Sequence, residues 1–242
     1  MGPIDLSSLF AGISSFTWGN LLMMLVGGLL IYFAIVKEYE PTLLLPIGIG
    51  VIIGNLPLSE MVAGEGMLTV LKKAGVDNEL FPLLIFIGVG AMMDFRPLLA
   101  QPVFALMGAA GQFGIFGTLI LAILLGYPMN EAASIGIIGA IDGPTSIYVA
   151  NELAPHMLGV ISVVAYSYMS LVPIIQPPIM RLLTTKEERS THMDYAPRPV
   201  SKLAVVLFPV IVTIAIGILV PKAAPLIASL MIGNLLKESL VV

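Results

Sequence analysis

The chain has 242 residues, 58% hydrophobic and only 11% charged, with a net charge of −4 and no cysteine. Soluble domains average roughly 45–50% apolar and about 25% charged residues. With a mean hydropathy of +1.02, this composition excludes a disordered chain, a collagen and a typical soluble enzyme, and implies an all-α integral membrane protein in a lipid bilayer. The missing cysteines exclude disulfides, thiolate chemistry, zinc fingers and iron–sulfur ligation. Two histidines, His156 and His192, leave little for a metal cage, and no long basic run points to nucleic acid. The 24 glycines and 18 prolines suit broken or kinked membrane helices.

A spanning helix needs about 20 mostly apolar residues, and about eight apolar segments follow one another along the chain. Residues 1–17 form an N-terminal segment without the basic start and small-residue cleavage site of a signal peptide. Trp18 to Val36 is the first span, with Trp18 at a membrane interface. Pro41 to Leu58 is short and carries Pro46, Gly48, Gly50 and Gly54. Glu60 to Glu79 is a polar loop, with a helical interfacial stretch around Lys72 and Lys73. Leu80 to Met93 is too short to span comfortably. Val103 to Gly126 spans. Ala132 to Leu153 is expected to break at Ile141-Asp142-Gly143-Pro144-Thr145-Ser146, as a span or a re-entrant loop. Met157 to Leu183 is expected to be interrupted by Pro173, Pro177 and Pro178. A charged stretch to Lys202 precedes a span from Leu203 to Val220 and a last segment, Pro225 to Leu236. If every segment crosses once, Lys72, Lys73, Arg181, Lys186, Arg189, Arg198 and Lys202 fall on one side and Lys37, Arg96 and Lys222 on the other. The positive-inside rule makes the first side cytoplasmic, with the N-terminus.

Pro46 to Leu56 reads P-I-G-I-G-V-I-I-G-N-L and Pro225 to Leu235 reads P-L-I-A-S-L-M-I-G-N-L. Both copies follow an apolar span and a short turn. Repeats of this kind build transporter folds, whose sites lie on discontinuous helices at the repeat interface. On this reading residues 18–202 are a first membrane repeat and 203–242 the start of a second, inverted one. The expectation is then a longer natural protein, of which this chain is the first half or a little more.

Asp142 is the leading candidate for chemistry. A carboxylate near the bilayer centre costs roughly 2.5–3.5 kcal/mol on insertion scales, and no cation stands nearby in sequence. Pro144 removes an amide donor and disfavours helix before it, so the chain should open here and free carbonyls. Thr145 and Ser146 add neutral oxygens beside one charged group. That set suits Na⁺ or a proton, which would compete for Asp142. The bland alternative is a buried acid paired with a base or a helix end elsewhere. Asp94 and Arg96, in G-A-M-M-D-F-R-P, form either an interfacial ion pair or a second ion site or gate. Tyr166 and Tyr168, with Gln176 farther along, either pack or line a polar cavity, where a phenol can ligate a cation or relay a proton. Asn55 and Asn234, at the ends of the repeat segments, read as helix caps. No phosphate-binding glycine motif supports a nucleotide site.

The stretches G-A-M-M-D-F-R-P-L-L-A-Q-P, G-A-I-D-G-P-T-S-I-Y-V and Y-S-Y-M-S-L-V-P-I-I-Q-P-P-I-M-R-L-L-T-T resemble the β subunit of the biotin-dependent, sodium-pumping decarboxylases of oxaloacetate, methylmalonyl-CoA, glutaconyl-CoA or malonate. The resemblance runs from about Trp18 to the end. It implies a multi-pass subunit of the bacterial inner membrane that decarboxylates carboxybiotin, consumes a proton and exports Na⁺. Its implied partners are a carboxyltransferase (α) subunit, a biotin carrier that brings carboxybiotin as substrate and a small membrane γ/δ subunit. A homo-oligomer is compatible with it. It assigns Asp142 as the Na⁺/H⁺ site and Tyr168 as ligand or proton relay, with Thr145 and Ser146 as further Na⁺ candidates. The family's functional Asn, Ser and Arg residues of the C-terminal repeat lie beyond residue 242. Two other readings fit the composition. One is a Na⁺- or H⁺-coupled transporter of a carboxylate solute; the other is a non-catalytic membrane scaffold, in which Asp142, Thr145 and Tyr168 would be replaceable.

Overall fold

The computed structural model describes residues 6–39, 41–58, 61–62, 64–192 and 199–240. Among these, every regular element is helical. Four helices are long and apolar enough to cross a membrane. The chain divides into two compact units, residues 1–74 with 170–180 and residues 75–169 with 181–242.

The first unit holds α1 (Leu6–Ser14), α2 (Trp18–Val36), α3 (Pro41–Gly54) and α4 (Met67–Leu71). A capping box starts α2: Thr17 Oγ1 accepts the Asn20 amide, and Asn20 Oδ1 accepts the Thr17 amide at 3.0 Å. α2 and α3 pack as a hairpin through two glycines. A Cβ on Gly27 would lie 2.7 Å from the Gly48 carbonyl oxygen, and one on Gly48 equally close to that of Gly27. Lipid-embedded helices associate by such close backbone approach. Asn55 donates to the Val51 carbonyl in the last turn of α3, and its own carbonyl accepts from Asn20 at 2.9 Å. The stretch around Lys72 and Lys73 is helical as expected, with a π-helical turn over Lys72–Val76.

The second unit begins with α5 (Leu80–Met92), α6 (Arg96–Ala100) and α7 (Ala105–Leu124). A broken segment follows: α8 (Met129–Gly136), a 3-10 turn over Ile137–Ala140, and α9 (Gly143–Leu153). α10 (Leu158–Leu183), whose middle belongs to the first unit, leads to α11 (Lys186–Ser190), α12 (Lys202–Leu219) and α13 (Ala224–Glu238). The expected interruption of the segment after Met157 does not occur. α10 continues through Pro173, Pro177 and Pro178, because the few backbone groups that prolines free in a membrane helix can be satisfied locally.

α5 and α13 pack side by side and in parallel. Phe86 meets Leu226 near their starts. Farther along, a Cβ on Gly90 would strike the Leu230 carbonyl, and one on Gly233 the Ile87 carbonyl. At the far end the Met93 carbonyl accepts from Asn234 Nδ2 at 3.1 Å and Lys237 Nζ at 2.8 Å. Asn234 therefore lies inside α13, buried, and links it to the end of α5; it does not cap its own helix.

These contacts correct the sorting of the basic residues. Arg96 pairs with Glu238 and shares a cavity lining with Lys202 and Lys237. Phe95 packs against Phe208 of α12 with ring centroids 5.1 Å apart and the planes tilted by 47°. Arg96 thus lies at the Lys202 end of α12, not at the Lys222 end. At the opposite end Lys222 pairs with Glu152 at 3.6 Å, and Asn151 reaches Glu79 at 3.1 Å. The single-crossing count fails because the segment carrying Asp142 does not cross.

Candidate functional site

The two arms of that segment return to the same end. Asn130 Nδ2, at the start of α8, donates to the Leu153 carbonyl at the end of α9 at 3.0 Å. Glu131 Oε1 lies 3.0 Å from His156 Nε2. The segment is a helical hairpin with its open end beside Lys222 and Glu152 and its tip at Ile141-Asp142. α9 has 11 residues, about 16 Å of helix, which is half of a hydrocarbon core of roughly 30 Å. A hairpin of that length entering from one face would bring its tip about halfway through such a core. The rest of the unit receives the hairpin closely. A Cβ on Gly136 would lie 2.9 Å from Leu119 Cβ, and Gly139 and Gly114 back onto each other with Cβ-to-carbonyl approaches of 2.7 and 3.0 Å.

At the tip Ile141 adopts a left-handed backbone, φ 58°, and Asp142 an extended one, φ −129°. A β-branched residue at positive φ is strained, so the reversal is held by its surroundings. Asp142 is the N-cap of α9. Its Oδ1 accepts the Thr145 amide at 3.3 Å, and its Oδ2 accepts the Thr145 hydroxyl at 2.5 Å. Ser146, fully buried, donates its hydroxyl to the Asp142 carbonyl at 2.8 Å. Pro144 sits in the first turn, where its missing amide costs no hydrogen bond. The carboxylate faces the positive end of α9, and the 3-10 turn of the other arm ends at Ala140, two residues before it. Two opposed helix ends and a carboxylate in one place can hold a small cation or exchange it for a proton.

The sequence candidates separate in space. Asp142, Thr145 and Ser146 form one cluster. Tyr166 joins it: its ring lies against Gly143, and both are in the second unit. Tyr168, half-buried, stands two residues on, roughly 200° around α10, and so lies on the other side of that helix from the Gly143 contact. Gln176 is exposed and belongs to the first unit. Asp94 and Arg96 lie at the Lys202 end, 3.5 Å apart, where Arg96 also holds Glu238.

This last cluster holds two residues that sequence reasoning passed over in this role. Asn234 and Glu238 are 1% and 7% exposed. Asn234 Oδ1 and Glu238 Oε1 are buried with no hydrogen-bond partner among the described residues. Their i, i+4 spacing in a mostly apolar helix was the available signal, obscured because Asn234 sits in the I-G-N-L repeat and reads as a cap.

Over residues 19–242 the chain matches the family described as Na⁺-transporting oxaloacetate decarboxylase beta subunit. It is 52% identical over 229 residues to the glutaconyl-CoA decarboxylase subunit beta of Acidaminococcus fermentans, covering 95% of this chain and 60% of that one. It is 50% identical over 229 residues to the methylmalonyl-CoA decarboxylase subunit beta of Veillonella parvula, with 95% and 60% covered. With the oxaloacetate decarboxylase beta chain of Klebsiella pneumoniae it shares 40% identity over 285 residues, 93% of this chain and 66% of the relative. The chain thus spans about three fifths of the length of the first two relatives.

Proposed function

The chain belongs to the Na⁺-transporting oxaloacetate decarboxylase beta subunit family, and from that premise we propose that it works as the membrane subunit of a biotin-dependent decarboxylase, coupling loss of CO₂ from carboxybiotin to Na⁺ export. The observation that carries the reading is a carboxylate placed at the tip of a re-entrant hairpin, between two opposed helix ends.

The geometry suits the chemistry. Carboxybiotin releases CO₂ and leaves a nitrogen anion, which takes up a proton to become biotin. A carboxyl that carries either H⁺ or Na⁺ links that proton to ion movement, because loading one displaces the other. Asp142 is the exchanging group. Thr145 keeps its carboxylate oriented and has lone pairs to spare for the ion, and Ser146 fixes the adjoining carbonyl. Tyr168 is a ligand or relay on a different face of α10. Biotin arrives on a carrier, loaded by a carboxyltransferase subunit, with a small membrane subunit completing the complex. Among the described residues of the second unit, Arg96, Lys202 and Lys237 gather at one end and Lys222 lies at the other, and the more basic end faces the cytoplasm of a bacterial inner membrane. Residues 18–202 and 203–242 are a first repeat and the start of an inverted second. Two helix pairs, α2–α3 and α12–α13, whose second helices carry the matching P…I-G-N-L stretches, support that division.

The test uses the full-length subunit in its assembled complex in membranes. Carboxybiotin decarboxylation is followed against Na⁺ concentration for the parent and Asp142→Asn. Saturable activation by Na⁺, lost in the variant, is expected. Na⁺-independent decarboxylation, or coupling that survives Asp142→Asn, overturns the reading and favours a carboxylate-solute transporter.

A further inference from the structure

Gly143 is buried and is the first residue of α9. A Cβ built on it would lie 2.7 Å from Cζ, 2.8 Å from Cε1 and 2.9 Å from Cε2 of Tyr166. Real Cβ atoms do not come so close, so only a bare Cα admits the ring. The three atoms are the phenol end, which places the hydroxyl-bearing carbon over the residue next to Asp142. Tyr166 also packs on the buried cluster of Ile147, Ala150, Leu158 and Ile161, against which Ile138 of the opposite arm packs too. The ring is therefore wedged where the two arms of the hairpin meet.

We propose that Tyr166 is a positioning residue for Asp142, acting through its contact with Gly143; the inference rests on the ion-exchange role of Asp142 argued above. The backbone reversal at Ile141-Asp142 is strained at φ 58° and persists only where neighbours over-determine it. A flat, stiff ring pressed on the next Cα supplies that determination from a separate helix. It fixes the direction in which the N-cap carboxylate leaves the chain. Without the ring, α9 can rotate or slide by a fraction of an ångström and carry the N-cap carboxylate with it, away from its place at the hairpin tip. Gly143 and Tyr166 then form one device, and each is needed for the other.

Two readouts on the full-length complex separate this inference from the function it rests on. The first is the Na⁺ concentration for half-maximal decarboxylation, compared with the maximal rate. Tyr166→Phe keeps the ring and is expected within threefold of the parent in both. Tyr166→Ala removes it and is expected to raise the half-activating Na⁺ concentration at least tenfold, with a smaller fall in maximal rate. Gly143→Ala is expected to act in the same direction, and adding Tyr166→Ala to it to recover part of the loss. The second readout needs no Na⁺ dependence: a fluorinated tyrosine at position 166, observed by ¹⁹F NMR, should shift on Gly143→Ala and on Asp142→Asn. Na⁺-independent decarboxylation by the parent would sink the function alone, leaving the NMR response to decide the contact. Unchanged half-activation in Tyr166→Ala, or a resonance that ignores both substitutions, overturns the inference.

Discussion

Removing Arg96 should cost more than removing the acid it holds. The Glu238 side chain is 5% exposed and Arg96 is 49% exposed. Arg96→Met therefore strands a carboxylate in a poorly solvated site, one of whose oxygens already lacks a partner. Breaking a fully buried pair from one side costs roughly 3–5 kcal/mol. Half-exposure of Arg96 lowers that figure, and Lys237, now bonded to the Met93 carbonyl, can turn partly toward the acid. A loss of about 2 kcal/mol follows. Glu238→Gln frees Arg96 to water with Asp94 still 3.5 Å away, and should cost less than about 1 kcal/mol. The double variant, Arg96→Met with Glu238→Gln, should be more stable than Arg96→Met alone by about 1 kcal/mol. Equilibrium unfolding of the full-length subunit by titrating sodium dodecyl sulfate into mild-detergent micelles reads all three. Equal costs for the two single changes, or a double variant no better than Arg96→Met, would refute the picture of a buried acid held by one cation.

Two further predictions test the architecture. The described region lacks native cysteine, so single cysteines introduced at Tyr127 and His156 should react with an impermeant maleimide from one side of the membrane, and cysteines at Asp94 and Lys202 from the other; labelling of positions 127 and 156 from opposite sides would show that the Asp142 segment crosses. Gly233→Ala drives a Cβ onto the Ile87 carbonyl and should destabilise the subunit by about 1–3 kcal/mol, whereas Gly28→Ala, which meets nothing within 4 Å, should be neutral in the same unfolding assay; equal effects would mean that α5 and α13 do not pack backbone to backbone.

The membrane class and the break at Asp142 were legible because each rests on local chemistry. Apolar runs must find lipid or protein, and Asp-Gly-Pro cannot continue a helix. The direction of the chain after the break was not legible. Whether α9 carries on across or turns back depends on Asn130 meeting Leu153 and Glu131 meeting His156, contacts between residues about 25 apart with no periodic signature. That one reversal also moved Arg96 to the Lys202 end, since a count of crossings carries every error forward. Within the site, the sequence could name Thr145 and Ser146 because a cap acts within a few residues. It could not rank Tyr166 above Tyr168 for proximity to Asp142, because that depends on the rotation of α10 and on which neighbour is a glycine. The continuity of α10 through three prolines shows the opposite limit: local breaking chemistry is overruled where a long apolar helix has nowhere better to place its backbone.

The hairpin also explains where this unit spends its glycines. Non-helical backbone at membrane depth survives only when protein covers it or it lines a wet cavity. A helix that crossed would satisfy its own amides and could be clothed in any apolar side chains. A hairpin tip cannot, so it must be brought against neighbouring helices closely enough to exclude lipid. Around the break, Gly136 and Gly139 on the first arm, Gly114 on α7 and Gly143 at the tip are positions where a Cβ would meet a neighbouring atom within 3.0 Å; Gly75, Gly90 and Gly233 are crowded at other contacts of the unit. Gly108, Gly111 and Gly117 of α7 face open space and carry no such constraint. The four glycines around the hairpin thus trace the surface on which the break is covered. Asp142 owes its place at the hairpin tip to that covering as much as to its own cap, and the strain at Ile141 is offset by contacts that no single element of the hairpin could make by itself.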